Sequence, residues 1–291
     1  MKQGDIAKKT VTDNKTDAES EIEKKLKQLF SLLEEMEQVV VAFSGGVDST
    51  FLLKVAVKAL GAENVLAVTS CTETYPAFEK KQAEELAADI GVNHELIFTE
   101  ELENEDFTRN DRHRCYYCKY ELFTQIKELA RKQGYSYVLD GSNYDDRVHD
   151  YRPGMKAARE LEVRSPLMEA RLTKEEIRTL SRRFDLPTWD KPSFACLSSR
   201  FPYGEEITAD KLKMVGRAEN YLREIISGQL RVRHHDQKTA RIEIEPEEFP
   251  QLINRKADIV EFLRELGYTY ITLDLVGYRT GSMNEVLDDI D

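Results

Sequence analysis

The sequence lacks any long apolar run, has only four cysteines in 291 residues, and carries fewer basic than acidic side chains. No apolar segment approaches the roughly 18 residues that a membrane-spanning helix needs, and the first residues lack the apolar core of a secretory signal. We therefore expect a cytoplasmic protein with no membrane partner. In that compartment, four cysteines in a chain of this size favour metal binding or catalysis over disulfides.

The shortage of positive charge limits the classes of partner. Lysine and arginine number 42 against 54 aspartates and glutamates, which gives a net charge of −12. This charge argues against general coating of nucleic acid, while a local basic groove is still compatible with it. The length leaves room for one large domain or for two ordinary ones with real cores.

The stretch Val39–Thr50 organises the chain. Its apolar, β-branched start ends at Gly45 and Gly46, and the apolar segment 51–57 follows. The pattern predicts a buried parallel strand, a tight loop and a helix. Glycines let the backbone approach an anion closely, and the amides of the loop and of the first helical turn point at it. We therefore predict that the loop binds phosphate.

Three side chains of this loop refine the prediction. Ser44 and Ser49 offer hydroxyl donors, whereas Asp48 would repel a bare anion. The carboxylate makes sense beside Mg²⁺ or as an acceptor from the loop amides, so the ligand is predicted to be a metal-bound nucleotide. The loop is neither a Walker loop nor a dinucleotide fingerprint, because the required lysine and glycine spacings are missing. The alternative is a strand–turn–helix junction without a ligand.

Strands and helices alternate after the loop. This alternation predicts an α/β fold with a doubly wound parallel sheet, whose ligands bind at the carboxyl ends of the strands. Asp140 and Gly141 follow one such end and are predicted to contact nucleotide or metal. Cys71 follows another, where a small buried residue is the favoured interpretation over a catalytic one. The further predicted strands are Val65–Thr69, His94–Phe98 and Tyr137–Asp140.

Composition divides the chain into three parts. Residues 1–18 are polar and predicted to be a disordered tail. Residues 19–195 form the predicted phosphate-loop domain, and residues 196–291 a smaller α+β domain with an antiparallel pair, for substrate binding or oligomerisation. Thr173–Glu176 is a capping box that opens a helix, which we interpret as purely structural. Tyr151–Arg159 carries three cationic side chains that fit a solvated helix face or a phosphate site.

Cys115 and Cys118 lie one helical turn apart at a predicted helix start. The helix dipole and the neighbouring Arg114 and Lys119 favour thiolates, which bind soft metals. Zinc would require a second cysteine pair or two histidines, and only Cys196 occurs in a comparable setting. Three thiols suit an iron–sulfur cluster with one open iron. A thioredoxin-like dithiol and a chance pair are the alternatives.

Arg231 and Arg233 lie on a predicted strand of the second domain. Because side chains alternate along a strand, both guanidinium groups are predicted to share one face and to form a two-pronged anion clamp. The alternative is the solvated face of a sheet.

These motifs together resemble a known family. Ser-Gly-Gly-Val-Asp-Ser at residues 44–49 resembles the signature of the PP-loop ATP pyrophosphatases. With Cys115-x-x-Cys118, the motif at 196–204 and Arg231-Val232-Arg233 in this order, nearly everything from about residue 20 onward resembles the LarE family of pyridinium-dicarboxylate mononucleotide sulfur transferases.

The resemblance implies an activity and roles for residues. Ser44, Gly45, Gly46, Asp48 and Ser49 would hold ATP with Mg²⁺, a carboxylate of pyridinium-3,5-biscarboxylic acid mononucleotide would be adenylated, and sulfur would replace the activated oxygen. The product contributes to the nickel-pincer nucleotide cofactor of lactate racemase. A sulfur-donor system and a second copy of the chain, as a homo-oligomer, are the expected protein partners. The substrate phosphate would lie on Arg200, Arg231 and Arg233, and Glu219 and Glu243 would shape the site or bind a metal.

The cysteines bear on the subtype. Members with only the cysteine matching Cys196 sacrifice its sulfur and end as dehydroalanine, but here Cys115 and Cys118 stand where those members have Trp and Ala. The chain thus resembles the three-cysteine subtype, in which a [4Fe–4S] cluster carries an extra sulfide. A tRNA thiolase shares the three cysteines, although the net charge of −12 weighs against it. A non-catalytic nucleotide or metal-binding protein is the remaining alternative.

Overall fold

The loop predicted to bind phosphate joins a strand to a helix in a computed structural model that describes residues 4–72, 77–147, 153–192, 195–236, 238–283 and 285. Side chains are described from residue 19 onward, except for residues 77 and 78. Of the cationic segment, Tyr151 and Arg152 lie outside the described residues, and the rest lies in a helix.

The secondary structure alternates as predicted through the first half of the chain. The strands are β1 (Val39–Ala42), β2 (Val65–Cys71), β3 (Asn93–Phe98), β4 (Tyr137–Leu139), β5 (Leu230–Asp236), β6 (Thr239–Ile244) and β7 (Tyr270–Leu273). The helices are α1 (Gly4–Glu34), α2 (Val47–Leu60), α3 (Ala77–Ile90), α4 (Glu105–Thr108), α5 (Arg114–Gln133), α6 (Pro153–Glu160), α7 (Pro166–Glu169), α8 (Lys174–Arg183), α9 (Ala209–Arg223), α10 (Phe249–Asn254) and α11 (Lys256–Glu265).

The chain divides into two units. The phosphate-loop unit comprises Met1–Ser70, Glu79–Ile97 and Leu122–Lys191, and the cysteine unit comprises Cys71–Phe78, Phe98–Glu121 and Pro192–Asp291. One division falls near the predicted boundary after residue 195. The C-x-x-C segment belongs to the cysteine unit although it precedes that boundary in sequence, so the units are not continuous stretches of chain. The domain bounds drawn from composition stay a prediction.

A four-stranded sheet forms the centre of the phosphate-loop unit, in the order β3-β2-β1-β4. Strand β1 pairs in parallel with β2 and β4. Val39 and Val41 belong to one apolar cluster with residues of α1, α2 and α8, whereas Val40 belongs to another with residues of α5 and α6. Because successive side chains of a strand point to opposite faces, this division shows that helices cover both faces of the sheet. The predicted α/β fold is confirmed.

The start of α1 differs from the prediction. The helix begins at Gly4, within the segment 1–18 whose polar composition predicts a disordered tail. The lysines and alanines of this segment are good helix formers even without an apolar face, so low hydrophobicity does not by itself exclude helical backbone. Further along the helix, Leu26, Leu29 and Leu33 are buried at helical spacing, as predicted.

The cysteine unit contains a smaller sheet in the order β5-β6-β7. Strands β5 and β6 are antiparallel and β7 is parallel to β6, in agreement with the predicted α+β unit. Residues of α9 and α11 pack on this sheet in one apolar cluster. A second cluster joins Phe107, Leu197, Phe201, Ile207, Leu212 and Val215.

Along the chain that the structure describes, no helix has the length and apolarity needed to cross a membrane.

Candidate active site

The phosphate loop has the predicted strand–glycine–helix geometry. Gly45 has a φ of +64°, in the left-handed region that a side chain would strain. Gly46 is the extended N-cap of α2 and has no side chain with which to cap it. The first amides of α2 therefore face a position where an anion can take the role of the cap.

Two serine hydroxyls brace the loop. The Ser49 Oγ lies 3.1 Å from the Ser44 Oγ, accepts from the Ser44 amide at 3.3 Å and donates to the Gly46 carbonyl at 3.3 Å. Ser49 is buried, whereas Ser44 is exposed. Ser49 thus holds the loop's shape, and Ser44 is the hydroxyl at the surface.

Asp48 has a cationic neighbour that the sequence did not reveal. The Lys174 ammonium forms a salt bridge with Asp48 Oδ2, and Asn143 Nδ2 donates to Oδ1 at 3.3 Å. Thr173 and Glu176 do form the predicted capping box at the start of α8. The capping box accounts for the backbone of this segment and not for the direction of the Lys174 side chain. The interpretation of the segment as purely structural stays a prediction.

A second lysine holds the loop from its carbonyl side. Lys191 Nζ donates to the Gly45 carbonyl at 3.1 Å and contacts Glu79 Oε2 and Gln82 Oε1, each at 2.6 Å. Glu79 is buried, so its negative charge requires this partner. In a trans peptide the carbonyl and the following N–H point in opposite directions, so this bond also fixes the direction of the Gly46 amide.

Asp140 and Gly141 shape the turn after β4. Both Asp140 carboxylate oxygens accept bonds from Ser142, and Oδ1 also accepts from the Ser165 hydroxyl at 2.6 Å. A Cβ on Gly141 would lie 3.0 Å from the Ser49 amide nitrogen, closer than such contacts normally occur. Gly141 is therefore needed for the close approach of this turn to α2, while a nucleotide contact by Asp140 stays a prediction.

The three predicted site cysteines all lie in the cysteine unit. Cys115 and Cys118 occupy the start of α5, and Cys196 directly precedes a 3₁₀ turn, Leu197–Arg200. Cys115 and Cys196 are exposed, Cys118 and Cys71 are half-buried, and none forms a disulfide. Cys118 packs on the apolar cluster that contains Leu197. The charge of a thiolate at Cys196 would raise the pKa of Cys115 and of Cys118, so the three sulfurs are electrostatic neighbours.

The predicted preference for thiolates was wrong for Cys115 and Cys118. Cys115 is exposed as a residue, yet desolvation by the surrounding protein is the largest influence and raises the pKa of its thiol, against the charge of Arg114. Desolvation and then Glu101 raise the pKa of Cys118, and Lys119 opposes them with a smaller effect. Burial outweighs the nearby cations, and the thiol form is favoured at neutral pH. Among the described residues, no three His, Cys, Asp or Glu side chains are arranged to hold a metal ion.

Arg200 is completely buried beside Cys196. Its guanidinium forms a bidentate pair with Glu219 at 2.7 and 2.9 Å. Its Nη1 donates to the carbonyls of Ala195 at 2.9 Å and Cys196 at 3.1 Å. All three guanidinium nitrogens donate to protein oxygens, so most of the hydrogen-bonding capacity of Arg200 is already engaged within the protein. The observed contacts fix the backbone at Cys196.

Arg231 and Arg233 are buried, and β-strand alternation places them on the same face of β5. Arg233 donates to Glu243 at 2.8 and 2.9 Å and to the Ser199 carbonyl at 3.0 Å. Desolvation, and after it the positive charge of Arg200, lower the pKa of Arg231 to about 10, against the charges of Glu219 and Tyr278. An anion beside Arg231 would favour its charged form.

The two carboxylates that were expected to shape the site or to bind a metal, Glu219 and Glu243, form ion pairs with arginines. Glu219 pairs with Arg200 and accepts from the Val232 amide at 2.9 Å. Desolvation is the largest single influence and opposes its ionisation, but Arg200, the Val232 amide and Arg231 together outweigh it and lower the pKa of Glu219. Glu243 pairs with Arg233 at 2.8 Å and with Arg241 at 2.7 Å. This arrangement shapes the site and does not fit a metal ion, because each carboxylate already has arginine partners.

Comparison with known proteins identifies the family. The family model for NAD synthase matches residues 19–110, which contain the phosphate loop. An uncharacterized protein of Synechocystis is 46% identical over 91% of this chain and 99% of its own length. The pyridinium-3,5-bisthiocarboxylic acid mononucleotide synthase of Lactiplantibacillus plantarum is 37% identical over 89% of this chain and 93% of its own. An uncharacterized protein of Methanocaldococcus jannaschii is 29% identical over 88% and 98% of the two chains. The chain therefore belongs to the LarE family, that of the L. plantarum synthase, within the PP-loop superfamily.

Proposed function

We propose that the protein is an ATP-dependent sulfurtransferase that converts a carboxylate of pyridinium-3,5-biscarboxylic acid mononucleotide into a thiocarboxylate, in biosynthesis of the nickel-pincer nucleotide. The observation that carries the proposal is the presence in one chain of a braced phosphate loop and of three neighbouring thiols outside it. The relative in L. plantarum is named for the bisthiocarboxylic acid product.

Adenylation gives the carboxylate a leaving group. A carboxylate oxygen of the substrate attacks the α-phosphorus of ATP, and pyrophosphate leaves with the electron pair of its bond to that phosphorus. The amides at the start of α2 bind the pyrophosphate part, and Gly46 is oriented for this by Lys191. Mg²⁺, which neutralises phosphate charge when bound, fits the carboxylate oxygens of Asp48. Lys174, released from Asp48, would then supply a cation to the phosphates.

Sulfur then displaces AMP from the acyl-adenylate, and AMP keeps the oxygen that the carboxylate supplied. We propose that Cys115, Cys118 and Cys196 hold a [4Fe–4S] cluster, which would carry the transferred sulfide on its open iron when bound. Three soft donors with one iron left open suit this role. The described side chains do not converge into a ligand group. Binding of the cluster would therefore require the three thiols to move closer together.

The alternative sulfur source is Cys196 itself. Its thiolate would displace AMP and form a thioester. Loss of the Cα proton and cleavage of the Cβ–S bond would then leave dehydroalanine in the chain and the thiocarboxylate on the substrate. This route uses one cysteine and gives one turnover, and it assigns no role to Cys115 and Cys118.

We propose that the substrate phosphate binds at Arg231, with Arg233 as the second donor. The face of β5 that Arg231 and Arg233 share supports this assignment, because one phosphate can accept hydrogen bonds from two guanidinium groups. Arg200, engaged with Glu219 and the carbonyl of Cys196, contributes less to the phosphate than the resemblance implies.

The function is tested with protein purified without oxygen. This protein is mixed with ATP, Mg²⁺ and the pyridinium mononucleotide, and the AMP, pyrophosphate and thiocarboxylate that form are measured. Release of AMP and pyrophosphate that depends on this substrate is the expected result. Dependence on tRNA instead would indicate a thiolase, and nucleotide binding without AMP release would indicate a non-catalytic protein. The cytoplasmic location, the homo-oligomer and the sulfur-donor system stay predictions.

The same preparation separates the two sulfur sources. With the cluster, the protein is brown, carries about four irons per chain, and bleaches on loss of any one of the three site cysteines. Cys71→Ala is the matched control and should leave the colour unchanged. A protein that stays colourless after reconstitution with iron and sulfide, and that loses about 34 Da on turnover, would show sacrifice of Cys196 instead.

A further inference from the structure

We propose that Asn110 and Arg114 form a clamp that positions the Cys196 loop against the C-x-x-C segment. The inference rests on the proposed function only in taking the three thiols as one sulfur-handling site. The clamp residues precede Cys115 in sequence, and every bond they make to the Cys196 loop goes to its backbone. They are positioning residues, because their contacts fix the loop that carries a site thiol.

Asn110 forms the first half of the clamp. It is fully buried and has a φ of +55°, in the left-handed region that asparagine tolerates better than most residues. Its Nδ2 donates to the carbonyl of Pro202 at 2.6 Å and to that of Phe201 at 3.5 Å. Its own carbonyl accepts from the Gly204 amide at 3.0 Å. The strained backbone thus turns a buried amide towards the end of the Cys196 loop.

Arg114 forms the second half. Its buried guanidinium donates from Nη1 to Asn110 Oδ1 and to the Ser198 carbonyl at 3.0 Å, and it lies over the Tyr203 ring with 5.9 Å to the centroid. Arg114 is the first residue of α5, and the next residue is Cys115. One side chain therefore connects the start of the C-x-x-C helix with the loop that begins at Cys196.

The clamp restrains segments that are far apart in sequence. Arg114 and Ser198 are separated by 84 residues, and Asn110 and Pro202 by 92. Bonds at Ser198, Pro202 and Gly204 hold the loop at points distributed along its length. Without them, the loop would keep its apolar anchor, because Leu197 and Phe201 pack with Phe107. We therefore expect the unit to fold without the clamp, but with a less well defined position of the Cys196 sulfur.

The test is cross-linking of thiols in iron-free, reduced protein with dibromobimane, which joins two nearby thiols, followed by mass spectrometry of the peptides. The measured quantity is the yield of the Cys118–Cys196 link divided by that of the Cys115–Cys118 link. The second link lies within one helix. Because Arg114 also acts directly on the Cys115 thiol, the labelling rate of each single thiol with monobromobimane is measured in parallel and corrects both yields for changes in thiol reactivity. Neither ATP nor substrate nor iron is present, so the result does not depend on whether the proposed activity is found.

Arg114→Gln and Asn110→Ala should each lower this ratio by about tenfold, the loss expected for one buried charge-assisted hydrogen bond. Arg114→Lys, which keeps a donor, should restore part of it. Arg109→Gln is the matched control, because Arg109 lies on the same segment with its side chain 66% exposed. If Asn110→Ala fails to fold, Asn110→Gly removes the amide and keeps the backbone conformation. An unchanged ratio in folded Arg114→Gln and in either Asn110 variant would overturn the clamp.

Discussion

The phosphate loop and the cysteine unit prepare their ligand sites in different ways. In the loop, the groups that face an anion are backbone amides, and their direction follows from a strand, two glycines and a helix. In the cysteine unit, the ionisable groups are buried side chains that pair across distant elements, such as Arg200 with Glu219 and Arg233 with Glu243. A local pattern specifies the first site, whereas the tertiary fold specifies the second.

The ion pairs of the two regions also differ in burial. Lys174 and Asp48 keep 29% and 22% of their side chains exposed, whereas Arg200 and Glu219 keep 0% and 2%. A partly solvated pair can open and exchange its partner for Mg²⁺ at modest cost. A fully buried pair cannot open without leaving an uncompensated charge. The difference suits an exchangeable contact at the phosphates and a fixed frame behind Cys196.

Glu219→Gln is the most direct test of the difference between the two ion pairs. This change leaves the fully buried Arg200 without its countercharge, so we expect the free energy of unfolding to fall by about 3–5 kcal/mol. Urea denaturation followed by circular dichroism measures the loss. The control is Glu85→Gln, because Glu85 pairs with Lys81 at the surface and the two side chains are 63% and 78% exposed; removing this pair should cost less than about 1 kcal/mol. Equal losses in the two variants would refute the distinction between the pairs.

The second prediction concerns the exchangeable pair. Asp48→Asn should abolish AMP formation, and Lys174→Met should slow it by about ten- to a hundredfold, the loss of one charge-assisted contact at 1.5–3 kcal/mol. Both variants should keep the wild-type stability. The exposed Lys81, which pairs with Glu85 on α3, provides the control variant Lys81→Met. AMP formation by Lys174→Met at the rate of the control would restrict Lys174 to a structural role.

Much of the phosphate-loop unit is predictable because local patterns determine it. The apolar run of β1, the glycine pair and the capping box at Thr173 each specify structure within a few residues. Lys174 and Lys191 were missed because their partners lie more than 100 residues away in sequence. Neither lysine carries a local sign that a distant carboxylate or carbonyl accepts a hydrogen bond from its ammonium group.

The cysteine unit shows what sequence reasoning gets wrong about charge. Arg114 and Lys119 are next to the thiols in sequence, and this proximity suggested thiolates. Burial depends on which segments pack together, and it raises the pKa of Cys115 and Cys118 despite these cations. The resemblance likewise implies that Arg200 binds the substrate phosphate, and the bonds of its guanidinium to Glu219 become evident only from the structure.

The third prediction concerns Arg231 on β5. Arg231→Ala should raise the requirement for the mononucleotide about ten- to a hundredfold, while the requirement for ATP changes little, because the phosphate concerned belongs to the substrate. Initial rates at varied substrate concentration measure both. Arg264→Ala, on the exposed face of α11, is the control. A parallel rise in the requirements for both ligands would assign Arg231 to the fold and not to substrate binding.

The smallest expected effect is a pH dependence at His234. This residue is fully buried between Phe201 and Tyr268, and its Nε2 has no hydrogen-bond partner among the described residues. Desolvation, with a further contribution from Lys211, lowers its pKa below the usual value near 6.5, against Glu205 and Asp236. Below that usual value the unfolded chain binds the proton more readily than the folded chain does, so this contribution to stability is complete above about pH 6.5 and is lost as the pH falls.

His234→Gln should therefore lose less stability than the wild type between pH 7.5 and 5.5. The difference is at most about 1.4 kcal/mol, because only one pH unit of this interval lies below the reference pKa of about 6.5. Urea midpoints at the two pH values measure it, and His94 and His235 cancel because both proteins retain them. His113→Gln, at a side chain that is 57% exposed, should behave as the wild type. If His234→Gln and the wild type lose stability equally, protonation of the buried imidazole costs no stability. The cysteine unit would then contain a buried charge that needs no fixed counterion, in contrast to the buried charges of Arg200 and Glu219, which pair with each other.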